Sequence, residues 1–187
     1  MSFFGGGSTT IRADKISNFS VNTAEFGAPV QEVLGTTRIS GNIIYYDDFR
    51  AIEHRKTQRA GKGGGKRTTT ISYTYEVATI FALCEGEIDG IGKVWIGKEI
   101  YDYPNEAIGL TLFKGSQNQA PWSYLVGAHP DKALSYPGLA YMAGSAVDLG
   151  ESASMPTFNF EVKGKLLNTG DGIDVNPADY ILYILDK

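Results

Sequence analysis

From Thr70 to Cys84 the chain alternates with period two. Odd positions read Ile71, Tyr73, Tyr75, Val77, Thr79, Phe81 and Leu83, and even positions read Thr70, Ser72, Thr74, Glu76, Ala78, Ile80, Ala82 and Cys84. Such alternation predicts a β-strand whose odd face is buried, about 50 Å long at ~3.3 Å per residue. Strands of five or six residues are usual, so one this long is expected to cross between two sheets, wrap a barrel or reach beyond its domain. Ile71, Tyr73, Tyr75, Val77 and Phe81 are its expected core or interface residues.

Weaker patterns flank it. Thr36 to Tyr46, with Ile39, Ile43, Ile44, Tyr45 and Tyr46, predicts a strand in which Gly41 marks a bulge or a close backbone approach. Ile91 to Ile96 predicts a strand that turns through Gly97-Lys98, a type II′ sequence, into Glu99 to Tyr101. Further strands are expected at Leu110 to Phe113, at Leu139 to Ala143 and around Phe158, Phe160 and Val162. Pro121 to Ala128 predicts one helical turn or two, packed through Trp122 and either Leu125 or Val126 and ended at His129-Pro130. Near the end, Asn176 as N-cap, Pro177 at the first helical position and Asp179 in the first turn predict a helix. Its apolar stripe is Ile181, Leu182, Ile184 and Leu185, expected to pack on another chain or to lead into a further domain.

Two stretches lack such patterning. Residues 1–27, with Gly5-Gly6-Gly7-Ser8-Thr9-Thr10, bury too little to order alone and are expected to form an extended arm, mobile or laid along a neighbouring subunit. Residues 50–67 hold Arg50, Arg55, Lys56, Arg59, Lys62, Lys66 and Arg67 beside Gly61, Gly63, Gly64 and Gly65, which predicts a flexible basic loop at the tip of a large hairpin. The domain plan is therefore an arm over 1–27, a β domain over 28–165 and a linker with the start of a helix over 166–187. The expected fold class is mainly β, a barrel- or sandwich-like domain with a long hairpin, one short internal helix and a C-terminal helix.

Composition narrows the chemistry. The 187 residues suffice for a core without a disulfide or structural metal, and Cys84 is the only cysteine. With 17 Lys+Arg against 21 Asp+Glu the net charge is −4, so a phosphate backbone is not advertised by the molecule as a whole, only by the basic loop. No apolar run approaches the roughly 18 residues that a membrane span needs.

The glycine-rich stretch fails as a nucleotide-binding loop. Ala60 stands where the first Gly is required, Arg67 where Ser or Thr must follow Gly65-Lys66, and a strand follows where a helix is needed. The stretch fits a phosphate-neutralising arm, a solvated hairpin tip or a contact with an acidic neighbour. Cys84 ends an apolar strand far in sequence from His54 and His129 and is expected to be a buried, inert thiol. Asp47, Asp48, Glu85, Glu87, Asp89, Asp171 and Asp174 fall in turns and match no cation-loop spacing. No base, nucleophile and oxyanion donor come together, so no enzyme, cofactor or metal site is expected.

Glu25-Phe26-Gly27-Ala28-Pro29-Val30, Leu34-Gly35-Thr36-Thr37-Arg38-Ile39-Ser40-Gly41-Asn42-Ile43-Ile44, the Gly/Lys loop leading into Tyr73-Thr74-Tyr75, Ala82-Leu83-Cys84-Glu85-Gly86-Glu87-Ile88-Asp89-Gly90-Ile91 and Val94-Trp95-Ile96-Gly97-Lys98 run in order along the chain. Leu112-Phe113-Lys114-Gly115-Ser116-Gln117-Asn118-Gln119, Tyr136-Pro137-Gly138-Leu139-Ala140-Tyr141 and Pro156-Thr157-Phe158-Asn159-Phe160-Glu161-Val162 follow. Together these stretches resemble the baseplate hub or tail-tip proteins of long-tailed bacteriophages, including the host-specificity protein of lambda-like phages and the hub of gene-transfer agents, and the resemblance implies a domain of tail-tube type. Leu149 to Met155 departs from the family's pattern.

The resemblance implies the N-terminal part of a structural hub that closes the distal end of a tail tube. It implies a homo-oligomer, a trimer, with distal-tail, tube and tape-measure proteins as neighbours, assembled in the host cytoplasm and resident at the virion's tail tip. On this reading Arg55, Lys56, Arg59, Lys62, Lys66 and Arg67 contact a neighbouring subunit or, nonspecifically, DNA in the lumen. A carbohydrate- or receptor-binding adhesion module is the alternative, motivated by Trp95, Trp122, Tyr136 and Tyr141 as sugar-stacking rings. A cell-wall hydrolase is the remaining rival.

Overall fold

The computed structural model describes residues 8–17, 19, 21, 30–59, 66–167 and 175–186. Among them are nine strands: β1 Ser8–Arg12, β2 Thr36–Ser40, β3 Asn42–Arg59, β4 Arg67–Glu85, β5 Gly90–Ile96, β6 Glu99–Asp102, β7 Thr111–Phe113, β8 Leu139–Gly150 and β9 Phe158–Lys163. The α-helices are α1 Ser123–Ala128 and α2 Pro177–Leu185. One sheet runs β1-β4-β8-β7 with β3 also paired to β4, and the other runs β2-β9-β5-β6. Neither closes into a barrel; the fold is mainly β and sandwich-like, in keeping with the sequence pattern.

The chain divides into two compact units, one comprising residues 1–21, 48–77 and 148–155 and the other 22–47, 78–147 and 156–187. In the second unit, β4 from Ala78 to Cys84 is buried on both faces. Phe81 packs its ring 4.6 Å from that of Phe158 and 5.8 Å from that of Phe160, both on β9. Ala78, Ile80, Trp122, Leu125, Tyr141 and Ala143 form a further cluster under α1. Each large apolar side chain taken out of water here contributes about 1.5–3 kcal/mol. Of the two candidates on α1, Leu125 is the packing residue, and Val126 is exposed.

Gly41 is the close approach its sequence position predicts. A Cβ there would lie 2.7 Å from Cε2 of Phe160 and 3.0 Å from Cβ of Phe81, and the expected single strand breaks at this glycine into β2 and β3. The β5–β6 hairpin turns through Gly97 at φ 59°, with Ile96 opposite Glu99, as a type II′ turn requires. Thr79, whose hydroxyl is the buried polar group of this unit's inner strand, donates to the Tyr45 carbonyl at 3.0 Å.

The first unit is built on the outer parts of β3 and β4. The segment expected as a loop over 50–67 is strand as far as Arg59, and strand resumes at Arg67. The arm also differs from expectation: Ser8–Arg12 is a strand laid parallel on β4, from Ser8 opposite Arg67 to Arg12 opposite Ile71. Backbone pairing explains it, since Ser-Thr-Thr-Ile-Arg has little apolar surface of its own and takes its order from the hydrogen-bonding edge of its neighbour. The chain after β1 then covers the odd face of β4. Ala13 N donates to the Ile71 carbonyl at 2.9 Å, Arg12 to the Tyr73 hydroxyl at 3.0 Å, and Ile16 N to the Tyr75 hydroxyl at 2.7 Å. Phe19, Phe49 and Tyr75 stack in a ladder with centroid separations of 5.6 and 5.5 Å.

Candidate assembly surfaces

The sequence singles out three residue sets, and the structure gives them three different fates. Ile71, Tyr73, Tyr75, Val77 and Phe81 are all buried. Within this chain they serve as core: the segment after β1 bonds to Ile71, Tyr73 and Tyr75, and Phe81 packs on Phe158 and Phe160.

The cations divide by element. Arg55, Lys56 and Arg59 lie exposed on β3, Arg67 opens β4 and Lys66 precedes it, while Lys62 falls outside the described residues. Arg55 is tied to Glu53 at 2.5 Å, and Glu53 also accepts from the Tyr73 hydroxyl at 3.1 Å and lies 3.6 Å from the Arg12 guanidinium. The bond from Arg55, with further help from Tyr73 and Arg12, holds the Glu53 carboxyl below its ordinary range. Arg50 pairs with Glu76 at 2.7 Å. Arg50 and Arg55 are thus neutralised by neighbours; among the described residues, Lys56, Arg59, Lys66 and Arg67 form no such pair.

The C-terminal helix begins as its residues dictate, with the Asn176 side chain accepting from Ala178 N at 3.0 Å and Pro177 in the first turn. It is turned in an unusual sense. Tyr183, half-buried, donates to Glu32 at 2.6 Å and lies under the Lys165 ammonium at 5.0 Å, so a polar-tipped residue anchors the helix. Ile181, Leu182, Ile184 and Leu185 stay exposed, Leu185 to 77%. An amphipathic helix ordinarily turns this stripe to its own core. Here a cavity of about 480 Å³, lined by Leu167, Leu182, Tyr183 and Leu185, opens beside it.

The remaining candidates have structural places. Cys84 is fully buried, and desolvation first, then the Glu32 charge, push its thiol up to about 11, far from the thiolate that nucleophilic chemistry needs. The His54 ring nitrogen Nε2 meets the Thr74 hydroxyl at 2.7 Å, and His129 ends α1 by donating its backbone N–H to the Leu125 carbonyl at 2.8 Å. Glu85, Glu87 and Asp89 line a cavity of about 580 Å³ with Glu32, Lys114 and Lys165, a mixed-charge wall. Asp171 and Asp174 lie outside the described residues.

The rings expected to stack on sugars are mostly interior. Trp122 and Tyr141 are buried, Tyr136 packs edge-on to Tyr141 at 5.7 Å, and the half-buried Trp95 is covered by the Arg38 guanidinium at 4.2 Å. Sequence composition could not distinguish these roles, because an aromatic residue reads the same in a core and in a platform. Burial drives the Tyr141 hydroxyl strongly upward in pKa, with Tyr136 adding to the effect.

No protein-family model matches the chain, and no curated protein matches it significantly. Among solved structures it is similar to a chain described as "Virion of native gene transfer agent (GTA) particle", at 23% identity with a TM-score of 0.55. The match takes in 75% of this chain and 27% of that one, so the likeness is one of fold over about a quarter of the larger protein.

Proposed function

We propose that this chain is a structural subunit of a phage-like particle, acting at the tail tip or baseplate hub, where it helps close the distal end of the tail tube. The observation that carries the reading is the fold shared with a gene-transfer-agent virion component over 75% of the chain. The outward apolar stripe of α2 supports it, since an exposed contiguous apolar surface marks an interaction site. The work is done by surfaces fitting together, with no bond made or broken. The protein forms a ring of three copies by heterologous contacts and sits among distal-tail, tube and tape-measure proteins in the virion.

Mass measurement and negative-stain imaging of the protein together with its tail neighbours test this reading. Three-fold rings that lose order in Ile181→Glu or Leu185→Glu variants are expected. A chain that stays monomeric and joins no tail particle overturns it.

A further inference from the structure

Three contacts fix the register of the outer β3–β4 ribbon. Thr57 Oγ1 meets Thr69 Oγ1 at 3.2 Å, Tyr73 donates to Glu53 at 3.1 Å, and Arg50 donates to Glu76 at 2.7 Å. One antiparallel register fits all three, and two residues beyond the threonine pair it sets Arg59 opposite Arg67. β1 continues the same rows, with Thr10 beside Thr69 and Ser8 beside Arg67. Like charges facing each other across strands are destabilising, so an arginine pair of this kind calls for an anion to offset it.

The ribbon's carboxylates, Glu53 and Glu76, are engaged by Arg55, Tyr73 and Arg50 and make no bond to Arg59 or Arg67. From His54 to Tyr75 there are six cations and no carboxylate, and with the whole chain at −4 the rest carries an excess of ten negative charges. The side chains of Lys56, Arg59, Lys66 and Arg67 have no hydrogen bond or ion pair among the described residues. From His54 to Arg59 and from Lys66 to Thr70 no side chain is apolar; every one is cationic, hydroxyl-bearing, amide or imidazole. Protein interfaces are built around an apolar core and are depleted in lysine, so this composition suits a different partner. Cations with flanking hydroxyls and no apolar centre are the chemistry of phosphate-backbone contact.

We propose that the end of this ribbon, through Lys56, Arg59, Lys66 and Arg67 beside the hydroxyls of Thr57 and Thr69, binds the phosphate backbone of double-stranded DNA without reading its sequence. The proposal does not rest on the tail-tip reading, because DNA binding and particle assembly are measured separately. The acidic remainder of the chain confines the contact to the ribbon and keeps it weak.

Fluorescence anisotropy with labelled duplexes of two unrelated sequences, from 50 to 200 mM salt, tests it. Four phosphate contacts give a log–log salt slope of about −3.6, a loss of roughly 150-fold over that range, equal for both sequences. R59A/R67A is expected to reduce the magnitude of the slope by about two, whereas Arg38→Ala leaves it unchanged. Unfolding curves of the double variant confirm the fold, which loses only a repulsive pair. Absence of salt-dependent binding at 50 mM overturns the proposal, as does a slope untouched by R59A/R67A. Tighter binding to polyglutamate than to duplex assigns the ribbon to an acidic protein and overturns it equally.

Discussion

The ring of Phe81 on β4 rests 4.6 Å from the ring of Phe158 on β9, joining the two sheets in the second unit. Gly41 lies against this contact with no room for a methyl group. Gly41→Ala forces Phe160 and Phe81 apart and is expected to cost about 1–3 kcal/mol, the range for overpacking a filled core. Gly127→Ala, on the exposed side of α1 with nothing near its Cβ, is the control and stabilises the helix slightly. Urea unfolding of both variants makes the comparison; equal midpoints would refute it.

Tyr141 presents the opposite situation, a group too many. Its ring stacks on Phe113 at 4.3 Å, but its buried hydroxyl has no hydrogen-bond partner among the described residues. Leaving a buried polar group unsatisfied costs about 1–3 kcal/mol, so Tyr141→Phe is expected to raise the melting temperature by roughly 2–4 °C or more. A lowered melting temperature would mean that the hydroxyl is bonded after all.

Thr79→Val tests a satisfied group in the same strand. The change leaves the Tyr45 carbonyl without the donor that now meets it at 3.0 Å, and a loss of about 1–2 kcal/mol is expected in denaturant unfolding. Thr79→Ser, which keeps the hydroxyl, recovers part of the loss.

Cys84 supplies a pH signature. A thiol raised to about 11 in the folded chain keeps its proton there while the unfolded chain loses it near the ordinary thiol value. Its contribution to stability is therefore complete below that ordinary value and is lost as pH rises toward 11. In Cys84→Ala the alkaline fall in stability over this window becomes shallower. Ellman's reagent at pH 8 labels the native protein only as fast as it unfolds.

The sequence made some of this architecture legible and hid the rest for definable reasons. β4 was readable because its apolar residues recur every second position, and α2 because Asn176 and Pro177 carry cap geometry in their own side chains. The outward half of β3 was not, because Arg55, Lys56, Gln58 and Arg59 are ordered by backbone pairing that leaves no apolar rhythm. β1 was hidden for the same reason, its partner lying some sixty residues away. The cation set was visible from composition, but the Arg59–Arg67 opposition follows only from register. The outward turn of α2 goes with distant contacts of Tyr183, to Glu32 and to Lys165, that no local pattern announces.

The Tyr183–Glu32 bond leaves the greasy side of α2 turned toward water. On the proposed reading, cohesion through that side strengthens on warming from the cold, so chilled buffer is the condition expected to keep single molecules apart.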